Sequence, residues 1–183
     1  IRTYNEEEIN LKKKVIEEFI LKNKPKTLID FGCNNGEFSF LASKTGVEKI
    51  IAVDQDERCI NYIHNKCKEI QNKKILPLVI DALNPSTSLG WNREKKSFDE
   101  RGYFDGSLNL AIIHHLCLAN NIPLYDATSY FIKKSKVGII EFIDKEDETS
   151  KIMLQNKNKF HDDYNKENFE KILNYISILS NKT

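Results

Sequence analysis

The 183-residue sequence has little that would hold a chain together other than its own core. Its four cysteines, Cys33, Cys59, Cys67 and Cys117, form no CxxC pair, and no histidine stands at zinc-finger spacing from them. That pattern argues against a disulfide framework or a structural metal and predicts a reducing, cytoplasmic home. Only 7 Gly and 4 Pro exclude collagen-like and low-complexity classes. No apolar run approaches the roughly 18 residues that cross a bilayer, so no membrane partner is expected. An excess of either charge is also missing: 28 Lys and Arg face 27 Asp and Glu, a formal charge of +1. Such a sum gives no global field toward nucleic acid or anionic lipid, although a local basic stripe can hide inside it. No basic stripe interleaved with aromatics is visible, so nucleic acid is not an expected partner. The chain starts at Ile1 without a signal-peptide pattern, and trimmed termini are expected.

What is present is enough for a core. Apolar residues make up 40% of the chain, and a domain of this size buries roughly 70% of its unfolded surface, so one domain over residues 1–183 is expected. Residues 5–22 carry apolar side chains at spacings of three and four and predict a helix stopped by Pro25. Short apolar runs then alternate with helical stretches. Strands are expected at Thr27–Phe31, Lys49–Val53, Ile75–Ile80, within Tyr103–Ile113 and at Val137–Ile143. Helices are expected at Glu37–Lys44, Arg58–Glu69 and Asn121–Lys134. The alternation predicts an α/β fold, a doubly wound, mostly parallel Rossmann-like sheet with helices on both faces. Residues 84–102 break the rhythm and read as an insertion or lid, and Asn168–Leu179 reads as a helix followed by a strand at Tyr175–Leu179.

Chemistry concentrates at the ends of the first three strands. In Asp30-Phe31-Gly32-Cys33-Asn34-Asn35-Gly36 the two glycines let the backbone turn sharply at the carboxyl end of the first strand, where open α/β sheets bind ligands. The GxxxG spacing lacks the third glycine of a dinucleotide turn, and the early Asp30 suits a ligand with an amino group. Asp54 closes the second strand and is placed to accept from both hydroxyls of a ribose. Asp81 closes the third and, with Ala82, is placed against a purine. Amino group, ribose and adenine in that order describe S-adenosylmethionine, with S-adenosylhomocysteine as its product.

These blocks, with Phe104-Asp105-Gly106, resemble the motifs of class I S-adenosylmethionine-dependent methyltransferases over about residues 25–143. A narrower set of blocks, among them Asn84-Pro85-Ser86, Gly90-Trp91-Asn92 and Ile113-His114-His115-Leu116, resembles a methyltransferase subgroup described as nodulation-protein-like. The cofactor-binding assignments are Asp30, Gly32, Cys33, Asn34 and Gly36 in the turn, Asp54 and Gln55 after the second strand, Asp81 and Ala82 after the third, and Asn109 in the fourth. Asn34 stands where the family pattern has glycine, a residue that still tolerates left-handed dihedrals. The family's last antiparallel strand is expected to be missing. His114 and His115 are the candidate catalytic residues, one of them acting as general base. No metal is expected, because no third ligand accompanies them. Trp91 is expected to fold over the crevice as an aromatic lid, and Lys12–Lys14 to form a solvated helix face. The expected partner is a small-molecule methyl acceptor. The alternatives are a cofactor-binding partner protein without turnover and a nicotinamide-dependent oxidoreductase.

Overall fold

A computed structural model describes residues 6–155 and 162–180. Five strands, β1 (Thr27–Phe31), β2 (Lys49–Asp54), β3 (Ile75–Val79), β4 (Phe104–Asn109) and β5 (Ser135–Ile140), form one parallel sheet in the order β3-β2-β1-β4-β5. Among the described residues no antiparallel strand joins it. Helices α1 (Glu6–Asn23), α2 (Glu37–Thr45) and α3 (Glu57–Glu69) supply residues to the core on one face. The opposite core includes α5 (Leu124–Ile132) and α7 (Lys166–Ser180). The expected α/β class is therefore observed.

The alternation of β1 explains this two-sided core. Leu28 packs into one cluster, Ile29 and Phe31 into the other, and all three are buried. Phe31 makes edge contacts with Phe131 at 5.1 Å and Phe98 at 6.3 Å between ring centroids. On β4 the same alternation sends Leu108 toward α1–α3 and leaves Ser107 and Asn109 for the other side. The chain changes winding direction between β1 and β4, the switch point where such sheets open a crevice.

Three expected elements differ. Tyr175–Leu179 is the end of α7, not a strand. Phe169, Ile172 and Ile176 recur at helical spacing against the core, and this long-period burial outweighs a short β-branched run. The fourth strand ends at Asn109, and His115–Ala119 forms a π-helical turn, so the two histidines lie beyond the strand rather than on its tip. The fifth spans Ser135–Ile140 instead of Val137–Ile143.

The insertion is ordered but does not close over the crevice. Leu89 and Lys95 form an isolated bridge, Trp91–Arg93 a 3-10 turn, and Ser97 with Glu100 a capping box for α4 (Phe98–Arg101). Phe98 then docks on Phe31, while Asp99 takes Tyr130 Oη and pairs with the buried Lys134 Nζ. This anchors the insertion beside α5. Trp91 is 87% exposed, so the lid expectation is not met.

Candidate functional site

A cleft of about 590 Å³ opens at the carboxyl ends of the strands. The turn after β1 forms its floor. Gly32 has φ +67° and Gly36 φ +75°, and Asn34, standing in place of glycine, adopts φ +47° as its type allows. A Cβ on Gly32 would come within 3.3 Å of Ile112, so the small residue keeps the turn against the β4 loop. That loop contains Ala111 at φ +47°, a left-handed alanine lining the cleft, the sort of backbone strain that collects at binding sites.

Asp30, Asp54 and Asp81 all line this one cleft. Asp30 is buried and accepts the Ser39 hydroxyl at 2.6 Å. Burial pushes its carboxyl up to about 7, against the Ser39 hydrogen bond and with help from the Asp54 charge. Asp54 ties the site together. Its two oxygens accept Asn34 N–H and Asp56 N–H, each at 2.9 Å, and each oxygen keeps a lone pair for a further donor. Asp81 accepts Leu83 N–H at 2.9 Å and holds the apolar wall of Ile80, Ala82 and Leu83. Cys33, Gln55 and Ala82 also line the cleft, as expected. Burial, with Asp30 and Asp54 nearby, pushes the Cys33 thiol up, so it is no nucleophile at neutral pH.

Two expected residues stay outside. Gly36 is buried at the entry to α2, where an added Cβ would come within 2.9 Å of Ile63, so its role is to shape the turn. Asn109 is fully buried, with its amide nitrogen donating to Ser107 Oγ and Ile139 O, and it does not line the cleft.

The histidines do reach the cleft, their rings in tilted contact with centroids 4.2 Å apart. His115 is exposed. His114 is 3% exposed, and its Nδ1 has no partner among the described residues. Burial and the neighbouring His115 hold His114 down at about 4, and partial desolvation by the cleft lowers the exposed His115 against the pull of Asp54. Both are neutral imidazoles at pH 7. Sequence reasoning missed further lining residues: Ile9 and Lys12 of α1, and Asp147 and Thr149 at the start of α6 (Glu148–Leu154). Lys12 is not solvated helix face; it pairs with Glu141 at 2.8 Å. Ile9, Lys12 and Ile16 share a helical face, which was the available signal. No cluster of metal-binding side chains occurs among the described residues.

Comparison with known proteins fits this geometry. No protein-family model matches the chain. An alignment of 181 residues, 98% of the chain, with nodulation protein NoeA of Rhizobium meliloti (strain 1021) is 39% identical. The chain is similar to part of NoeA. It spans 38% of NoeA's length, so the likeness is to a portion of that protein. Among solved structures, the bifunctional kinase-methyltransferase WbdD superposes with a TM-score of 0.56 at 19% identity, over 76% of this chain and 29% of that one. The N-terminal domain of EvdMO1, crystallised with SAH and D-fucose, gives 0.51 at 11% identity over 69% of this chain and 46% of its own. The [4+2]-cyclase SpnF gives 0.51 at 14% identity over 74% and 44%. These likenesses show the Rossmann-like fold. A methyltransferase and a cyclase both use it, so the chemistry must be argued from the site.

Proposed function

We propose that the chain binds S-adenosylmethionine in this cleft and transfers its methyl group to a small-molecule acceptor. The observation that carries the reading is the convergence of Asp30, Asp54 and Asp81, from three successive strands, on one cavity of about 590 Å³. The residues fit the ligand. Asp54 has acceptor capacity for the two ribose hydroxyls, Asp30 a carboxyl for the amino group, and Ile80, Ala82 and Leu83 an apolar wall for adenine. The same fold in the kinase-methyltransferase WbdD and in the SAH-bound EvdMO1 supports the assignment without fixing the acceptor.

S-adenosylmethionine carries an already activated methyl group, so the protein's work is chiefly positioning. Near-attack geometry lowers such barriers by about 7–11 kcal/mol, which makes a sparse site sufficient. His115 is the proposed base. It is neutral and exposed to the cleft, so its ring can take the proton that a hydroxyl or amine acceptor loses, with His114 packed beneath to fix its position. The lining also selects against anionic acceptors. It presents Asp30, Glu37, Asp54, Asp81 and Asp147 against one ammonium, Lys12, already paired with Glu141. An uncharged acceptor suits this field better than a phosphorylated one or a nucleic acid. Incubating the chain with methyl-labelled donor and a low-molecular-weight cell extract tests the reading. Label in a new uncharged product supports it; donor binding with no transfer to any extract favours a non-catalytic binding role.

A further inference from the structure

The near-zero net charge conceals a separation of charge along the strand axis. In an all-parallel sheet every strand begins at the same edge, and here four of the five beginnings carry lysines, while β4 opens on Tyr103 and Asp105. Lys24 and Lys26 lead into β1, Lys44 and Lys49 flank the approach to β2, Lys73 and Lys74 lead into β3, and Lys136 lies in the first turn of β5; all seven are exposed. The register aligns them. Thr27 sits beside Lys49, Ile50 beside Ile75, and Gly106 beside Val137, so Lys74, Lys49, Thr27, Asp105 and Lys136 form one row across the sheet, with Lys26 one residue before Thr27. Across five strands about 4.8 Å apart, that row spans roughly 19 Å. Among the described residues only Lys136 of the seven pairs with a carboxylate, Asp105. The stretches 22–26, 44–49, 71–74 and 133–136 contain a single acidic residue, Glu48. The opposite end holds the carboxylate-rich cleft.

We infer that this edge docks on an anionic phospholipid surface, with the cleft facing away from it. The face is the rim of one sheet with the ends of its helices, and its cations are compact lysine ammoniums rather than the planar arginines favoured for phosphate forks. Apolar side chains stand among them: Leu21 at the end of α1 is 60% exposed, and Ile70 after α3 is 46% exposed beside a shallow hollow of about 400 Å³ that Lys44, Lys73 and Lys74 help to line. Lysines around exposed aliphatic residues match a bilayer interface. A single-stranded nucleic acid would call for a platform of stacking aromatics; the edge offers Tyr103 before β4, 65% exposed, while the aromatic residue of the hollow, Phe40, is half-buried. The expectation of no membrane partner rested on total charge and the lack of a spanning segment, neither of which sees how a parallel sheet sorts residues.

Docking is independent of methyl transfer. Sedimentation of the full chain with phosphatidylcholine vesicles, with and without phosphatidylserine, tests it. Binding is expected only with phosphatidylserine and is weakened by salt. The triple variant Lys44→Gln, Lys49→Gln, Lys73→Gln loses roughly a hundredfold in partitioning, at about fivefold per lysine. Its thermal midpoint and its affinity for S-adenosylhomocysteine stay as in the native chain, which separates failure of this inference from failure of the cofactor reading. Absence of sedimentation, equal sedimentation of the variant, or tighter binding to polyuridylate than to the vesicles overturns it.

Discussion

Asp30 and His114 are both buried titratable groups, shifted in opposite directions along the pH scale. Asp30 has its folded value raised to about 7, so the folded chain holds this proton longer than the unfolded one and loses stability as pH rises toward 7. His114 has its folded value lowered to about 4, so the unfolded chain protonates first and stability is lost as pH falls below about 6.5. Between about 4 and 6.5 the two slopes oppose each other. Removing one exposes the other: the stability advantage of the native chain over His114→Gln grows with pH across that window, by up to about 1.4 kcal/mol per unit in urea titrations. An advantage that does not change with pH counts against a buried neutral imidazole. Asp30 also links pH to ligand binding. If its carboxylate meets the cofactor's ammonium, it must give up its proton first. Affinity for S-adenosylhomocysteine then rises with pH, by up to about tenfold per unit, and levels off above about 7. Calorimetry on Asp30→Asn is expected to show weaker binding without that slope.

At the scale of elements, the turn between β1 and α2 is set by glycine in one place and by tolerance in another. Gly36→Ala places a Cβ within 2.9 Å of Ile63 at a φ of +75° and is expected to cost about 2–4 kcal/mol and weaken cofactor binding. Gly46→Ala, with open space around it, costs only the backbone strain of its φ of +120°, about 1–2 kcal/mol, and leaves binding unchanged. Chemical denaturation and calorimetry on the pair separate fold from site. The insertion gives a second contrast. Trp91→Ala is expected to change stability by less than about 0.5 kcal/mol and leave cofactor affinity as it was, because the ring is 87% exposed. Phe98→Ala removes a ring packed on Phe31 and costs about 2 kcal/mol. A loss of affinity in Trp91→Ala would restore the lid.

These elements also show what the sequence could convey. The strands β1 to β3 were legible because each is a short, mostly apolar run with an aspartate at or just beyond its end, as parallel strands with a site at their tips require. The turn was legible because glycine spacing is a local property. Asn109 was misplaced because which face of β4 it occupies depends on Leu108 packing against α1–α3, a tertiary fact. The walls supplied by Ile9, Lys12, Asp147 and Thr149 are brought together from distant parts of the chain, and Trp91 carried no local mark of which way its loop would fold. Left-handed Ala111 has no sequence signal, since alanine is not chosen for that conformation.

On the scale of the molecule, the parallel sheet sorts charge as well as hydrophobicity: carboxylates gather where strands end and lysines where they begin. That arrangement gives a chain of formal charge +1 an acidic cleft and a basic rim. The central claim is that the acidic end holds a nucleoside bearing a charged amino-acid tail, with Asp54 as the link between turn and ribose. Titration calorimetry of S-adenosylhomocysteine into the native chain and into Asp54→Ala, each checked for folding by circular dichroism, tests it most directly. The account predicts one-to-one binding to the native chain and at least a tenfold loss, about 1.4 kcal/mol, in the folded variant. No binding to a folded native chain, or equal binding by the variant, contradicts it.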